Sequence, residues 1–290
     1  MSTGKHDNIF NSINNEYYHF TTSEKKVADY VLSHRINAQY MSISELAYEC
    51  GVGEATISRF CKRLHLGGYN TFKLALAKST VSIDHPTNSE NAETELLPTD
   101  TIEEVCNKIC NTDISAISQT FSLLNLEAIE EAVDLLYKSN KVLCLGQGAS
   151  SIMAQEATHL FSTVTSKFQT ITDSHIQTSV VATLGKKDVI MFFSYSGSTK
   201  ELMELLPLAK NTGAKTILVT RYLKSPGADK ADIVLQCGSI ESPLQLGSIP
   251  ARLAQLYLID VLYHQYVNKN PKKALEQQEK IADALTHKHL

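Results

Sequence analysis

The chain has 290 residues, of which 43% are hydrophobic and 20% charged, and its formal net charge is -4. At about 150 residues per domain this length favours two domains. The composition is that of a globular protein with enough apolar surface for a sizeable core, which excludes wholesale disorder. No run approaches the ~18 to 20 uncharged apolar residues of a membrane span, and the first ten residues are polar rather than a charged start followed by an apolar run. A cytoplasmic protein with no membrane partner is expected.

Charge is unevenly distributed. Residues 1–79 hold nine Lys or Arg against seven Asp or Glu, leaving 18 bases and 24 acids for the rest. From 55 to 83 there are five bases (Arg59, Lys62, Arg63, Lys73, Lys78) and no acid, the local balance that a phosphate backbone requires.

The N-terminal part reads as all-helical, with apolar residues at helical spacing in Val27, Tyr30 and Val31, in Ile43, Leu46 and Ala47, and in Ile57, Phe60, Cys61 and Leu64. Ser42 and Glu45 have the spacing of a capping box and open a short helix over 43–50. Gly51, Val52 and Gly53 supply a tight turn, and a second helix over 54–65 stops before Gly67 and Gly68. Two short helices joined by three residues form a helix-turn-helix, whose second helix enters the major groove of double-stranded DNA. The spacing exposes Glu54, Ala55, Thr56, Ser58, Arg59, Lys62 and Arg63. Residues near the start of such a helix reach base edges and later cations grip the backbone. Thr56, Ser58 and Arg59 are therefore assigned to reading, and Lys62, Arg63 and Lys73 to phosphates. The competing reading is a helical hairpin used only for docking, with Arg59 and Lys62 on a solvated face.

Residues 81–100 are rich in Ser, Thr, Asn, Glu and Pro and read as a linker, giving domains over 1–79 and 102–290 with 80–101 between them. Beyond it, Ile102, Val105, Ile109, Ile114, Ile117 and Phe121 mark an amphipathic helix, and 128–137 a second. Short β-rich runs follow at 141–145, 168–171, 188–193, 215–220 and 232–237, separated by helix-length segments. That rhythm predicts an α/β domain, a parallel sheet with helices on both faces. A last long helix begins near Ser248 with Pro250 in its first turn and is apolar nearly all round, so it is expected to be buried, partly against a second copy. The tail from 270 to 290 is a polar helix rich in Lys and Gln. Six cysteines (Cys50, Cys61, Cys106, Cys110, Cys144, Cys237) show no paired spacing; neither a disulfide framework nor a metal site is assigned, although Cys106 and Cys110 share a helix face.

Two strand ends carry the chemistry. The first gives Leu145, Gly146, Gln147, Gly148, Ala149, Ser150 and Ser151 with a helix starting at once: the glycines let the backbone approach a ligand, and the helix N-terminus offers N–H groups to an anion. A dinucleotide site is set aside, because Ser151 stands where a third glycine belongs. The third strand ends in Ser194, Tyr195, Ser196, Gly197, Ser198 and Thr199, whose hydroxyls at a helix start can wrap a phosphate with neutral donors. Lys200 lacks the Walker spacing, so the ligand is read as a phosphate monoester rather than a hydrolysed nucleotide. Both turns also suit plain helix capping.

The runs FTTSEKKVADYVL and MSISELAYECGVGEATISRFCKRLHLGGYNTFKLAL resemble the DNA-binding domain of the RpiR family of bacterial transcriptional regulators. GQGASS, SYSGSTKELMELLPLAKNTGAKTILVT and RYLKSPGADKADIVLQCGSIESPLQLGS resemble its sugar isomerase (SIS) domain. The resemblance implies a regulator, not an enzyme, that is a homodimer or homotetramer and answers to a sugar phosphate without a cofactor. It implies a five-stranded flavodoxin-like sheet in the SIS domain. It puts the phosphate-binding serines on Ser150, Ser194 and Ser196, with Thr199 closing the loop and the Gly148 and Gly197 backbone alongside. Asp173, Ser174 and His175 after the second strand, and Glu241 before Pro243, stand where they can approach sugar hydroxyls, though a capped helix start and a solvated loop acid account for them as well. One departure is Gly53, where the family usually places a serine as N-cap of the recognition helix. The alternative function is an aldose–ketose phosphosugar isomerase with His175 or Glu241 as its base, for which the first 80 residues would be superfluous; a third is an SIS domain with a protein-docking appendage.

Overall fold

The computed structural model describes residues 8–81, 96–239, 244 and 247–286. It divides into two compact units, one running to Lys108 together with 240–246, the other comprising 109–239 and 247–290.

The first unit is helical: α1 (Ile9–Glu16), α2 (Thr22–Ser33), α3 (Ile43–Glu49), α4 (Glu54–Arg63) and α5 (Tyr69–Val81), with short 3₁₀ turns at Tyr17–His19 and Asn37–Tyr40. Each start has a local cause. Asn8 caps α1, and α2 and α3 both open on complete capping boxes, Thr21 with Glu24 and Ser42 with Glu45. α3 ends because Gly51 takes φ +61° while its N–H and that of Val52 donate to the carbonyls of Tyr48 and Ala47. The helices close on Ile13, Val27, Val31, Leu46, Ile57, Phe60, Phe72 and Leu76, all fully buried. Phe60 lies at the centre, its ring 4.9 Å from that of Phe20 and 5.7 Å edge-on to Phe72.

The chain enters the second unit along α6 (Ile102–Ser122), so the division falls inside this helix rather than before it, as the linker composition suggested. Of the linker itself, 82–95 lie outside the described residues. After α6 come α7 (Leu126–Lys138), β1 (Lys141–Gly146), α8 (Ala149–Ser162), β2 (Phe168–Thr170), α9 (Ser174–Val181), β3 (Asp188–Phe193), α10 (Lys200–Thr212), β4 (Lys215–Thr220), β5 (Ile233–Gln236), α11 (Ile249–Asn268) and α12 (Pro271–Leu285). All strand pairs are parallel, in the order β2-β1-β3-β4-β5. The five expected strands are present; β5 starts one residue into its β-rich run, after Asp232, which accepts from the Thr216 N–H (2.9 Å) and hydroxyl (2.8 Å) and pairs with Lys215, and it ends one residue before Cys237.

Alternation along the buried strands sorts the helices. Val142, Cys144, Val189, Met191, Phe193, Ile217 and Val219 point to the face covered by α7, α8 and α11. Leu143, Leu145, Ile190, Phe192 and Leu218 point to the opposite face, covered by Val181 of α9 and by Leu202, Leu205, Leu206 and Ala209 of α10. α11 buries Ala251, Ala254, Leu258, Ile259, Leu262 and Tyr266 along one face, and keeps Leu253, Leu256, Tyr257 and Val261 half-buried on the others.

Candidate functional site

In the sheet order, β1 lies between β2 and β3, so the connections leaving β1 and β3 diverge to opposite faces and open a crevice at the carboxyl edge. Gly146 is the register partner of Phe193, which sets the two hydroxyl-bearing loops side by side there.

The first loop turns on glycine. A Cβ on Gly146 would lie 2.5 Å from the Ser150 carbonyl oxygen, so only glycine lets the strand end meet the first turn of α8. Gly148 caps that helix at φ +57° and ψ -128°, a conformation side chains rarely adopt, and its cap position carries no side-chain hydrogen bond. Ser150 and Ser151 are half-buried in the first turn, with the Ser151 hydroxyl donating to the Gly148 carbonyl at 2.7 Å. Gln147 ties this loop to α9: its amide donates to Gln177 Oε1 at 3.1 Å, and the buried Gln177 donates to the Ile171 carbonyl at 2.7 Å.

The second loop is built around Ser194, which is buried, with its N–H on the Val219 carbonyl and its hydroxyl 3.4 Å from that of Thr199. Ser196 is half-buried and accepts from the N–H and hydroxyl of Ser198 at 3.3 and 3.2 Å. Thr199 is the N-cap residue of α10, again with no side-chain cap hydrogen bond. Gly197, at φ +59°, brings its backbone against Ser225, and its carbonyl accepts from Gly227 at 2.8 Å. Ser150 thus stands in the first turn of α8, where the Ser150 and Ser151 N–H groups donate to the Gln147 and Gly148 carbonyls at 3.1 and 3.0 Å, while Ser194, Ser196 and Thr199 lead into the start of α10, whose N-cap side chain takes no N–H of its first turn. His175 is exposed in the first turn of α9, and the Asp173 carboxylate accepts from the Ile176 N–H at 2.9 Å, so here the capping role is the one Asp173 fills. Glu241 lies outside the described residues.

In the helical unit, the face of α4 away from the core presents Glu54, Ala55, Arg59, Lys62 and Arg63, with Ser58 half-buried. Thr56 departs from the expected exposure: it is buried, because it sits one turn before Phe60 on the inward side of the helix. Arg63 departs in another way. Its guanidinium turns back to donate to Glu24 Oε1 at 3.4 Å and to the His19 carbonyl at 3.0 Å, tying the end of α4 to the start of α2. Burial pushes the Glu24 carboxyl up, but the N–H and hydroxyl of Thr21 and the Arg63 guanidinium outweigh this and hold it below its ordinary value. Arg59 lies along its own helix, donating to the Ala55 carbonyl at 3.2 Å. Neither the Gln147–Gln177 link nor the Arg63–Glu24 clasp was visible in the sequence, for their partners are 30 and 39 positions apart.

Comparison with known proteins agrees with this two-part construction. Residues 7–82 match the model of the helix-turn-helix domain of the RpiR family, and residues 135–265 that of the SIS domain. An HTH-type transcriptional regulator of Caldanaerobacter subterraneus subsp. tengcongensis is 35% identical over 92% of this chain and 93% of its own. The chain belongs to the RpiR family of transcriptional regulators. Within the family, the HTH-type transcriptional regulator HexR of Escherichia coli is 29% identical over 96% of this chain and 94% of its own. Among solved structures, the NanR protein of Vibrio vulnificus, complexed with ManNAc-6P, superposes with a TM-score of 0.85 over 96% of this chain and 98% of its own at 22% identity, which shows the shared fold. An RpiR regulator is thus a helix-turn-helix unit joined to an SIS unit, and among the described residues no helix is long and apolar enough to cross a membrane.

Proposed function

We propose that this RpiR regulator binds operator DNA through α3 and α4 and a phosphorylated sugar through the SIS unit, with occupancy of the sugar site changing operator affinity. The observation that carries the effector reading is the register of Gly146 with Phe193, which puts two glycine-and-hydroxyl turns next to each other at the switch point of the sheet. Ser150, Ser151, Ser194, Ser196 and Thr199, with the Gly148 and Gly197 backbone, take the phosphate; His175 and Glu241 are proposed for the sugar hydroxyls. The NanR neighbour, complexed with ManNAc-6P, supports a sugar phosphate as the ligand class. On the DNA side Ser58 and Arg59 are proposed to read bases, and Lys62 and Lys73 to contact phosphates. Thr56, which is buried, and Arg63, whose guanidinium is engaged by Glu24, take no part in these contacts. Two-fold DNA sites call for a homodimer or a pair of them. The chain acts as a regulator and not as an isomerase, as the transcriptional-regulator names of its relatives support.

The test is a thermal-shift screen against a panel of sugar phosphates that includes ManNAc-6P, run on the wild type and on Ser194→Ala with Ser196→Ala. A ligand at 100 times its dissociation constant adds ~2.7 kcal/mol. Stabilisation of the wild type alone supports the reading; equal stabilisation of both, or isomerisation of the bound compound, contradicts it.

A further inference from the structure

Tyr195 stands between the two serines of the second loop, yet its hydroxyl reaches away from them, donating to the Ser239 carbonyl at 3.1 Å. The same carbonyl accepts from Arg221 Nε at 3.0 Å, and the Arg221 N–H donates in turn to the Tyr195 carbonyl at 3.0 Å, so Tyr195 is joined to this point through side chain and backbone alike. Ser239 is buried and holds φ +72°, which a serine keeps only where its surroundings enforce it. On its other side the segment grips α6: the Gly238 N–H donates to Thr120 Oγ1 at 2.9 Å and the Ser239 N–H to Gln119 Oε1 at 3.2 Å. The approach is close enough that a Cβ on Gly238 would lie 2.6 Å from the Thr120 nitrogen. Thr120 is fully buried, whereas most of α6 is exposed, so this clasp fixes the end of a helix with few other anchors.

We propose that Tyr195, Arg221 and Ser239 form the coupling element that passes occupancy of the Ser194–Thr199 loop to the C-terminal end of α6, the helix whose first turns belong to the DNA-binding unit. The proposal rests on the sugar-phosphate reading of that loop. When Ser194 and Ser196 close on a phosphate, the residue between them moves with them, and Ser239 loses or tightens one of the two donors that hold its strained backbone. The amides of Gly238 and Ser239 follow, and with them the grip on Thr120 and Gln119. Tyr195 is thus a positioning residue: it links ligand to helix without holding the ligand.

Amide hydrogen exchange on the full chain tests this without knowledge of the operator, with ManNAc-6P and inorganic phosphate as probes. In the wild type, a probe that slows exchange over 194–199 is expected to change exchange over 117–122 by about fivefold or more, the lower end of ordinary site-to-site coupling. In Tyr195→Phe the first response is expected to persist and the second to vanish, and Thr120→Val is expected to have the same effect from the other end. If 117–122 responds as strongly in Tyr195→Phe as in the wild type, or stays unchanged in the wild type while 194–199 is protected, the coupling proposal is wrong. Failure of both probes to protect 194–199 is a different pattern, which removes the reading of this loop as a phosphate cradle and this inference with it.

Discussion

Gly197 and Ser225 approach so closely that a Cβ on the glycine would lie 2.0 Å from the Ser225 hydroxyl oxygen. Because Gly197 also holds φ +59°, Gly197→Ala combines a backbone penalty with a clash against a fully buried side chain. The expected cost is about 2 kcal/mol or more, and the second loop is expected to lose its shape. Urea unfolding of the SIS unit together with calorimetric titration of a sugar phosphate checks both; unchanged stability and affinity would show that the loop relaxes freely.

Arg63 and Lys62 are adjacent on α4 but are expected to behave as opposites. Arg63→Ala breaks the clasp to Glu24 and the bond to the His19 carbonyl, costing about 1 kcal/mol in the first unit. Lys62→Ala leaves stability unchanged but weakens DNA binding on all sequences alike and lowers the salt slope by about 0.9. Unfolding curves and fluorescence anisotropy at several salt concentrations separate them; a reduced salt slope for Arg63→Ala would return that residue to the DNA interface.

The clasp also gives a pH dependence. The Glu24 carboxyl is held below its ordinary value in the folded chain, so its stabilisation is complete above the unfolded value of about 4.3 and is lost as pH falls through the lower folded value. Circular dichroism melts between pH 6 and about pH 3 are expected to show the first unit weakening towards acid, and Glu24→Gln to flatten that dependence.

At the N-cap of α4, Gly53 has φ -83° and ψ 155°, and a Cβ there would meet nothing within 4 Å. Gly53→Ser is therefore accommodated without strain and supplies the missing cap acceptor while restricting the unfolded chain. A gain of about 0.5 to 1 kcal/mol is expected, read as a higher melting temperature of the helical unit.

The buried Gln177 bridges the first loop to the end of β2 through Gln147 and the Ile171 carbonyl. Gln177→Leu leaves both partners without that bond, and a loss of about 1 to 3 kcal/mol is expected. Sugar-phosphate affinity is expected to fall with it, because the turn at Gly148 loses its lateral tie; a variant with lower stability but full affinity would show that the turn is held by its glycines alone.

Much of this molecule could be read from local sequence, and the rest fails for identifiable reasons. The Ser42 and Glu45 spacing, the positive-φ glycine at 51 and the strand ends at Gly146 and Phe193 are local signals, and each structural feature stands where its signal lies. The burial of Thr56 was readable too: it precedes Phe60 by four and belongs on the inner face, but a hydroxyl among charges invites assignment to the surface. By contrast, Arg63 finds Glu24, Tyr195 finds Ser239 and Gln147 finds Gln177 only once the chain has folded, since each pair is distant in sequence and either member would suit a solvated position equally well.

Four of the six cysteines are buried, and burial pushes the thiols of Cys61 and Cys144 up to about 12 and that of Cys50 up to about 11, so they are poor nucleophiles. The two exposed ones, Cys106 and Cys110, are one turn apart on α6, on either side of the point where the chain passes from one unit to the other. A maleimide dye added to the native protein is therefore expected to go to that crossing without any engineered thiol, which makes the connecting helix the natural place for a reporter of the proposed ligand and DNA binding.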